Sequence, residues 1–160
     1  MKRKTLKDLT VTSSAFKHNE MIPAKYTCDG ENISPEISWE GAPEGTESFV
    51  LISDDPDAPI GIWVHWIVIN IPEDVTSLPE GVPKKDTLED STNQGMSSFK
   101  EIGYGGPCPP SGTHRYFFKV YAIDSEVDLE PRYATKEKVL DAINGHVLAY
   151  GEIMGTYKRQ

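Results

Sequence analysis

Residues 54–70 read DDPDAPIGIWVHWIVIN. An acidic, proline-stiffened loop runs straight into an apolar stretch that carries one histidine, His65. Residues 103–124, GYGGPCPPSGTHRYFFKVYAID, repeat the plan with a Gly/Pro loop, then His114, then an aromatic run. Branched and aromatic side chains fit a pleated, half-buried surface, so Ile62–Ile71 and Arg115–Asp124 are predicted as the two long strands. Two rigid polar loops, each feeding a buried strand, predict one pocket built from two halves.

Outward from these stretches the chain keeps a β rhythm. Leu9–Ser13 alternates like a strand, Ile37–Trp39 is a short candidate, and Ser48–Ser53 (SFVLIS) is apolar enough for a strand covered on both faces. Residues 1–8 are basic and expected to fray. Ala15–Cys28, interrupted by Pro23, reads as an edge strand or loop. Residues 72–100 form a long polar connection, expected to cover a sheet edge or shelter the pocket. The convincing helix is Thr135–Asn144, with Thr135 as N-cap and Val139, Leu140, Ile143, Val147 and Leu148 as its apolar face, weakening at Gly145. Gly151–Tyr157 is expected as a closing strand. Short strands with Gly/Pro punctuation and one helix imply a mainly β domain of two packed sheets, spanning residues 1–160 as a single unit.

The 160 residues carry 16 basic and 25 acidic side chains, a formal charge of −9. That balance disfavours non-specific nucleic-acid binding, which phosphate neutralisation drives, and adsorption to anionic membranes. No apolar signal region follows the basic N-terminus and no 18-residue apolar run exists, so the reading is a soluble, cytoplasmic protein without membrane insertion. Cys28 and Cys108 form no CxxC pair. Two reduced, partly buried thiols are expected, with a disulfide as the alternative.

The chemistry sits in the two loops. Strand alternation predicts that His65 shares a face with Trp63, Ile67 and Ile69, and that His114 shares one with Tyr116. Pro109 and Pro110 stiffen the approach to His114. Gly105, Gly106 and Gly112 are expected to let backbone N–H groups approach a ligand. Asp55 and Asp57, two apart, are expected to point the same way, fix the histidine tautomers and favour their charged forms. The set reads as a site for a phosphate or carboxylate. The alternative is a metal-dependent hydrolase using the two Asp and two His, though no HExxH-type spacing is present. No GxSxG elbow, P-loop or dinucleotide pattern occurs, and no nucleophile stands out, so binding without catalysis and without a cofactor is expected.

The segments DPDAP (55–59), HWIVINIP (65–72) and GPCPPSGTHRYFFKVYA (106–122) resemble the phosphatidylethanolamine-binding protein family, also called Raf kinase inhibitor proteins. YTCDGENISPEISW (26–39) and GEIMGTYKR (151–159) resemble its shorter bacterial and archaeal branch. The resemblance implies a large central antiparallel sheet packed on a smaller one, with little helix. It implies a small anion pocket lined by Asp55, Asp57, His65, Pro109, Pro110, His114 and Tyr116. It further implies phosphate-, acetate- or phosphoethanolamine-like ligands, a kinase or protease as regulated partner, and a homodimer.

Overall fold

The computed structural model describes residues 6–159. Its large sheet runs, in spatial order, β1 (Lys7–Asp8), β9 (Val147–Tyr157), β8 (His114–Ile123), β4 (Ser48–Asp55), β5 (Trp63–Pro72) and β7 (Asn93–Gln94). All neighbours are antiparallel except β1 with β9. A small antiparallel sheet holds β2 (Thr10–Thr12), β3 (Ile37–Glu40) and β6 (Ser77–Leu78). The expected mainly β architecture of two packed sheets is what the chain adopts.

Every residue of β4 is buried, because this central strand has cover on both faces. On one face Phe49 and Leu51 of β4 meet Trp66 and Val68 of β5, Phe118 and Val120 of β8, and Val11, Ile37, Trp39 and Leu78 of the small sheet. On the other, Val50, Ile52, Ile67, Ile69 and Ile123 pack under α1 (Lys136–Ile143) through Val139 and Ile143. Each fully buried aliphatic side chain contributes about 1.5–3 kcal/mol relative to exposure, so these two layers hold the sheet. The Thr135 side chain accepts the Lys138 N–H as the N-cap. The helix is shorter than its apolar periodicity predicts. Gly145 turns the chain with φ +85°, and Val147 and Leu148 belong to β9 instead.

Three other expectations shift. Residues 1–5 of the segment expected to fray lie outside the described residues, while Lys7–Asp8 pairs with Ala149–Tyr150. The 72–100 connection is ordered by tertiary contacts: β6 joins the small sheet, and β7 closes the edge of β5. Fully buried Gln94 accepts from Trp66 Nε1 at 2.8 Å and donates to the carbonyls of Pro83 and Lys85. A polar side chain so placed persists because each of its groups is paired.

Cys28 and Cys108, expected as reduced thiols, form a disulfide, with Cα atoms 5.4 Å apart and 80 positions of sequence between them. Hydrogen bonds beside the disulfide also join the two loops. Cys28 N–H donates to the Pro107 carbonyl at 3.1 Å and Gly106 N–H to Asn32 Oδ1 at 2.8 Å. In the chain-entropy picture a cross-link of that span removes roughly 4.5 kcal/mol of unfolded-state freedom. Among the described residues no helix is long and apolar enough to cross a membrane.

Candidate functional site

The register of the large sheet gathers the site at the end where β4 stops and β8 starts. Asp54 lies opposite Phe117, which sets Asp55 beside Tyr116 and His114 on the face that also carries Phe118. Asp55 Oδ2 accepts from His114 Nδ1 at 2.6 Å, and its Oδ1 accepts the Asp57 N–H at 2.7 Å. One buried carboxylate therefore orients the imidazole and starts the turn of the DPDAP loop. The His114 and Tyr116 rings stack, 6.4 Å apart at 21°.

His65 reaches the same place by a β-bulge. Ser53 pairs with Trp66 and Asp54 with Val64, which leaves His65 as the extra residue on β5. Such a residue is re-aimed out of strict alternation. Val64, not His65, packs with the Ile67 and Ile69 cluster. The expected shared face with Ile67 and Ile69 is thus overturned. His65 stands edge-on to Tyr116 at 5.2 Å and to Phe99 at 5.4 Å. Its Nδ1–H donates to the Gly105 carbonyl at 2.6 Å, and Gly105 N–H returns a bond to the His65 carbonyl at 3.0 Å.

These side chains line a cleft of about 320 Å³ formed by Asp55, Ala58, Pro59, Ile60, Trp63, His65, Phe99, Cys108, Pro109, Pro110, His114 and Tyr116. That size lies at the lower end for small-molecule sites. Six of the seven residues singled out in the sequence meet there. Asp57 does not: its Oδ2 accepts from the Arg115 backbone and Nε, and its Oδ1 from Nη2, each at 2.9 Å. The chain turns after Asp55, so strand alternation no longer sets the direction of Asp57. The Arg115 guanidinium holds the Asp57 carboxyl below its usual range.

The backbone N–H groups of Gly105 and Gly106 are spent on His65 and Asn32 and do not face a ligand. These glycines serve packing. A Cβ would fall 2.6 Å from the Phe99 ring at Gly105 and 2.2 Å from the Tyr26 carbonyl at Gly106. The sequence reading missed Ala58, Pro59, Ile60, Trp63, Phe99 and Cys108 as lining residues. Phe99, an aromatic between polar residues just ahead of the Gly-rich loop, is the one that carried a signal.

Electrostatically the two histidines differ. Burial pushes His65 below its ordinary value, outweighing the Gly105 carbonyl and the Asp55 and Asp54 charges, which act the other way. Asp55 does favour its charged form, as expected, but burial outweighs that charge. Neutral His65 with Nδ1–H on Gly105 leaves Nε2 as an acceptor. Burial likewise raises Tyr116, which stays a phenol, and no described residue takes a hydrogen bond from its hydroxyl. Among the described residues no group of three or more His, Cys, Asp or Glu side chains is placed to hold a metal ion. The Asp/His cluster of the hydrolase alternative is not assembled, since Asp57 is turned to Arg115.

The sequence profile described as phosphatidylethanolamine-binding protein matches residues 12–158. A UPF0098 protein of Methanothermobacter thermautotrophicus is 51% identical, over 94% of this chain and 99% of its own. One from Aquifex aeolicus is 50% identical, over 94% and 89%. Two crystal structures superpose with a TM-score of 0.88, each covering 96% of this chain and 99% of its own. They are the phosphatidylethanolamine-binding protein homologue CT736 of Chlamydia trachomatis, 41% identical, and YBCL of E. coli, 36% identical, described as a member of the mammalian family. With this fold, this pocket and these relatives, the chain belongs to the bacterial and archaeal branch of the phosphatidylethanolamine-binding protein family.

Proposed function

We propose that the chain is a non-enzymatic, cytoplasmic binding protein for a small phosphate- or carboxylate-bearing ligand, such as a phosphoethanolamine-like group. The observation that carries this reading is the 2.6 Å contact between Asp55 and His114 in a mainly apolar cleft. With Nδ1 fixed by the carboxylate, His114 directs Nε2 to the ligand. Tyr116 offers a phenolic hydroxyl without a hydrogen-bond partner among the described residues. His65 Nε2 accepts, so the ligand best matched is an anion that retains a proton or ammonium, as a phosphomonoester monoanion or a phosphoethanolamine does. The lining holds no Ser nucleophile, and its Cys is tied in the disulfide. This favours capture over turnover.

The rim favours a regulatory role through a protein partner, a kinase or protease, or through a homodimer. Ile60 is 83% exposed at the tip of the DPDAP loop, with Ile62 and Phe99 also exposed beside the cleft. Apolar groups clustered at a pocket mouth are a feature of contact surfaces. Isothermal titration with inorganic phosphate and phosphoethanolamine tests the binding reading. Heat is expected from the native chain, with a loss of tenfold or more in His114→Ala. No heat from either compound, or an unchanged His114→Ala, would sink it.

A further inference from the structure

We infer that the Cys28–Cys108 disulfide is a reversible thiol–disulfide switch that holds one wall of the cleft in its binding shape. The inference rests on the anion-binding reading for what that wall does.

Cys108, Pro109 and Pro110 form the wall. Upstream, the loop is pinned by Gly105, Gly106 and Pro107 through bonds to His65, Asn32 and Cys28. Downstream, β8 begins at His114. Between them residues 108–113 neither give nor take a hydrogen bond with any described residue. The disulfide is therefore the one non-packing tie on this stretch. The prolines stiffen the segment internally but do not fix where it sits. Gly112, at φ +70° with open space around it, supplies a pivot just before His114. Cutting the disulfide frees the wall without touching the sheet.

The bond is also within reach. Cys108 is exposed and Cys28 half-buried, and exposed disulfides are the labile class. The thiolate of a low-molecular-weight thiol attacks Cys108 Sγ. The Sγ–Sγ bond breaks, and Cys28 leaves as a thiolate and takes a proton. A second thiol then attacks the outer sulfur of the mixed disulfide, releasing its own disulfide and the Cys108 thiol. Two thiols are oxidised and one protein disulfide is reduced. In the cytoplasmic setting proposed above, such thiols are abundant.

Linkage makes the switch reciprocal: if the oxidised form binds the anion more tightly, the anion makes the disulfide harder to reduce by the same factor. A tenfold difference corresponds to about 30 mV for this two-electron couple.

The test compares the native oxidised chain, the chain reduced by glutathione, and the Cys28→Ser/Cys108→Ser double variant. Folding is followed by circular dichroism, free thiols by titration, phosphate affinity by calorimetry, and amide exchange from Ser111 to Tyr116 by mass spectrometry. Expected are a folded reduced form and double variant, roughly tenfold weaker phosphate binding, faster exchange over that stretch, and a midpoint potential lowered by phosphate. Equal affinity and unchanged exchange would overturn the switch. So would reduction that occurs only with global unfolding, which makes the bond a staple. If phosphate binds no form, the anion-binding reading fails instead, and exchange over Ser111–Tyr116 alone decides whether the wall is released.

Discussion

Asp54 and Asp55 are adjacent in sequence and serve opposite faces of the large sheet. Asp54 Oδ2 accepts from Lys136 at 2.7 Å and Lys119 at 3.1 Å, bolting the helix to the sheet, while Asp55 turns to His114. On the anion-binding proposal the pair divides stability from binding, and substitution should separate the two. Asp54→Asn leaves two lysines without their shared anion. It should cost about 2 kcal/mol, below the range for fully buried pairs because the lysines remain 20–23% exposed. Asp55→Asn keeps an acceptor for His114 but removes the charge. It should weaken phosphate binding about tenfold, the loss of one charge-assisted bond. Urea midpoints and calorimetry on both variants check the split; equal effects on both quantities would refute it.

Asp57 gives a graded comparison. It lies off the cleft and acts by clamping the DPDAP loop to Arg115. Asp57→Asn should reduce affinity by about threefold, the scale of an exposed ion pair, and less than Asp55→Asn does. Its carboxyl titrates below the usual range when folded, so the clamp's contribution is present above the ordinary carboxylate pKa and fades as pH falls through the lowered value. Urea midpoints of both chains followed from pH 7 down to pH 2 should show the wild-type advantage shrink at the acid end.

The sequence made the scaffold and half the site visible, for physical reasons that differ by residue. The branched and aromatic runs of β4 and β5 announce buried strands because burial on both faces leaves no polar alternation, whereas β8 buries one face and turns Arg115 and Lys119 to the other. Two loop–histidine–strand units announce the pocket because polar imidazoles at the start of apolar strands need a purpose. The aim of His65 was hidden, since a bulge arises from the register between β4 and β5 and not from either strand alone. The disulfide was hidden for the same reason: 80 positions of spacing carry no information about contact. Trp63 and Phe99 reach the cleft through tertiary packing, their rings meeting edge-on at 5.4 Å.

His65 predicts how stability depends on pH. Burial lowers its folded-state value, so between that value and the ordinary one near 6.5 the unfolded chain binds more protons. Stability therefore rises with pH across that window and is lost as the solution is acidified through it. His65→Gln, which keeps a donor near the Gly105 carbonyl but does not titrate, should flatten this part of the profile. Urea midpoints from pH 4.5 to 7.5 check it: the wild-type curve should steepen below about pH 6.5 relative to the variant. Parallel curves would show that His65 is not the group responsible.

The neighbouring glycines predict a contrast between function and folding. At Gly105 an added Cβ meets the Phe99 ring, which is 39% exposed and can swing outward. Gly105→Ala should cost about 1 kcal/mol, the low end for overpacking, yet it displaces the aromatic that packs on His65 and lines the cleft. At Gly106 the added Cβ meets backbone, the Tyr26 carbonyl, which cannot yield without moving the loop that carries Cys28. Gly106→Ala should cost about 3 kcal/mol or more, the upper end of the same range. Thermal melts and phosphate titrations of both variants distinguish the two. Gly105→Ala should fold and bind several-fold more weakly, with altered Trp63 fluorescence, while Gly106→Ala should melt at a markedly lower temperature. A Gly105→Ala chain with native affinity would show that the Phe99 wall plays no part in holding the ligand.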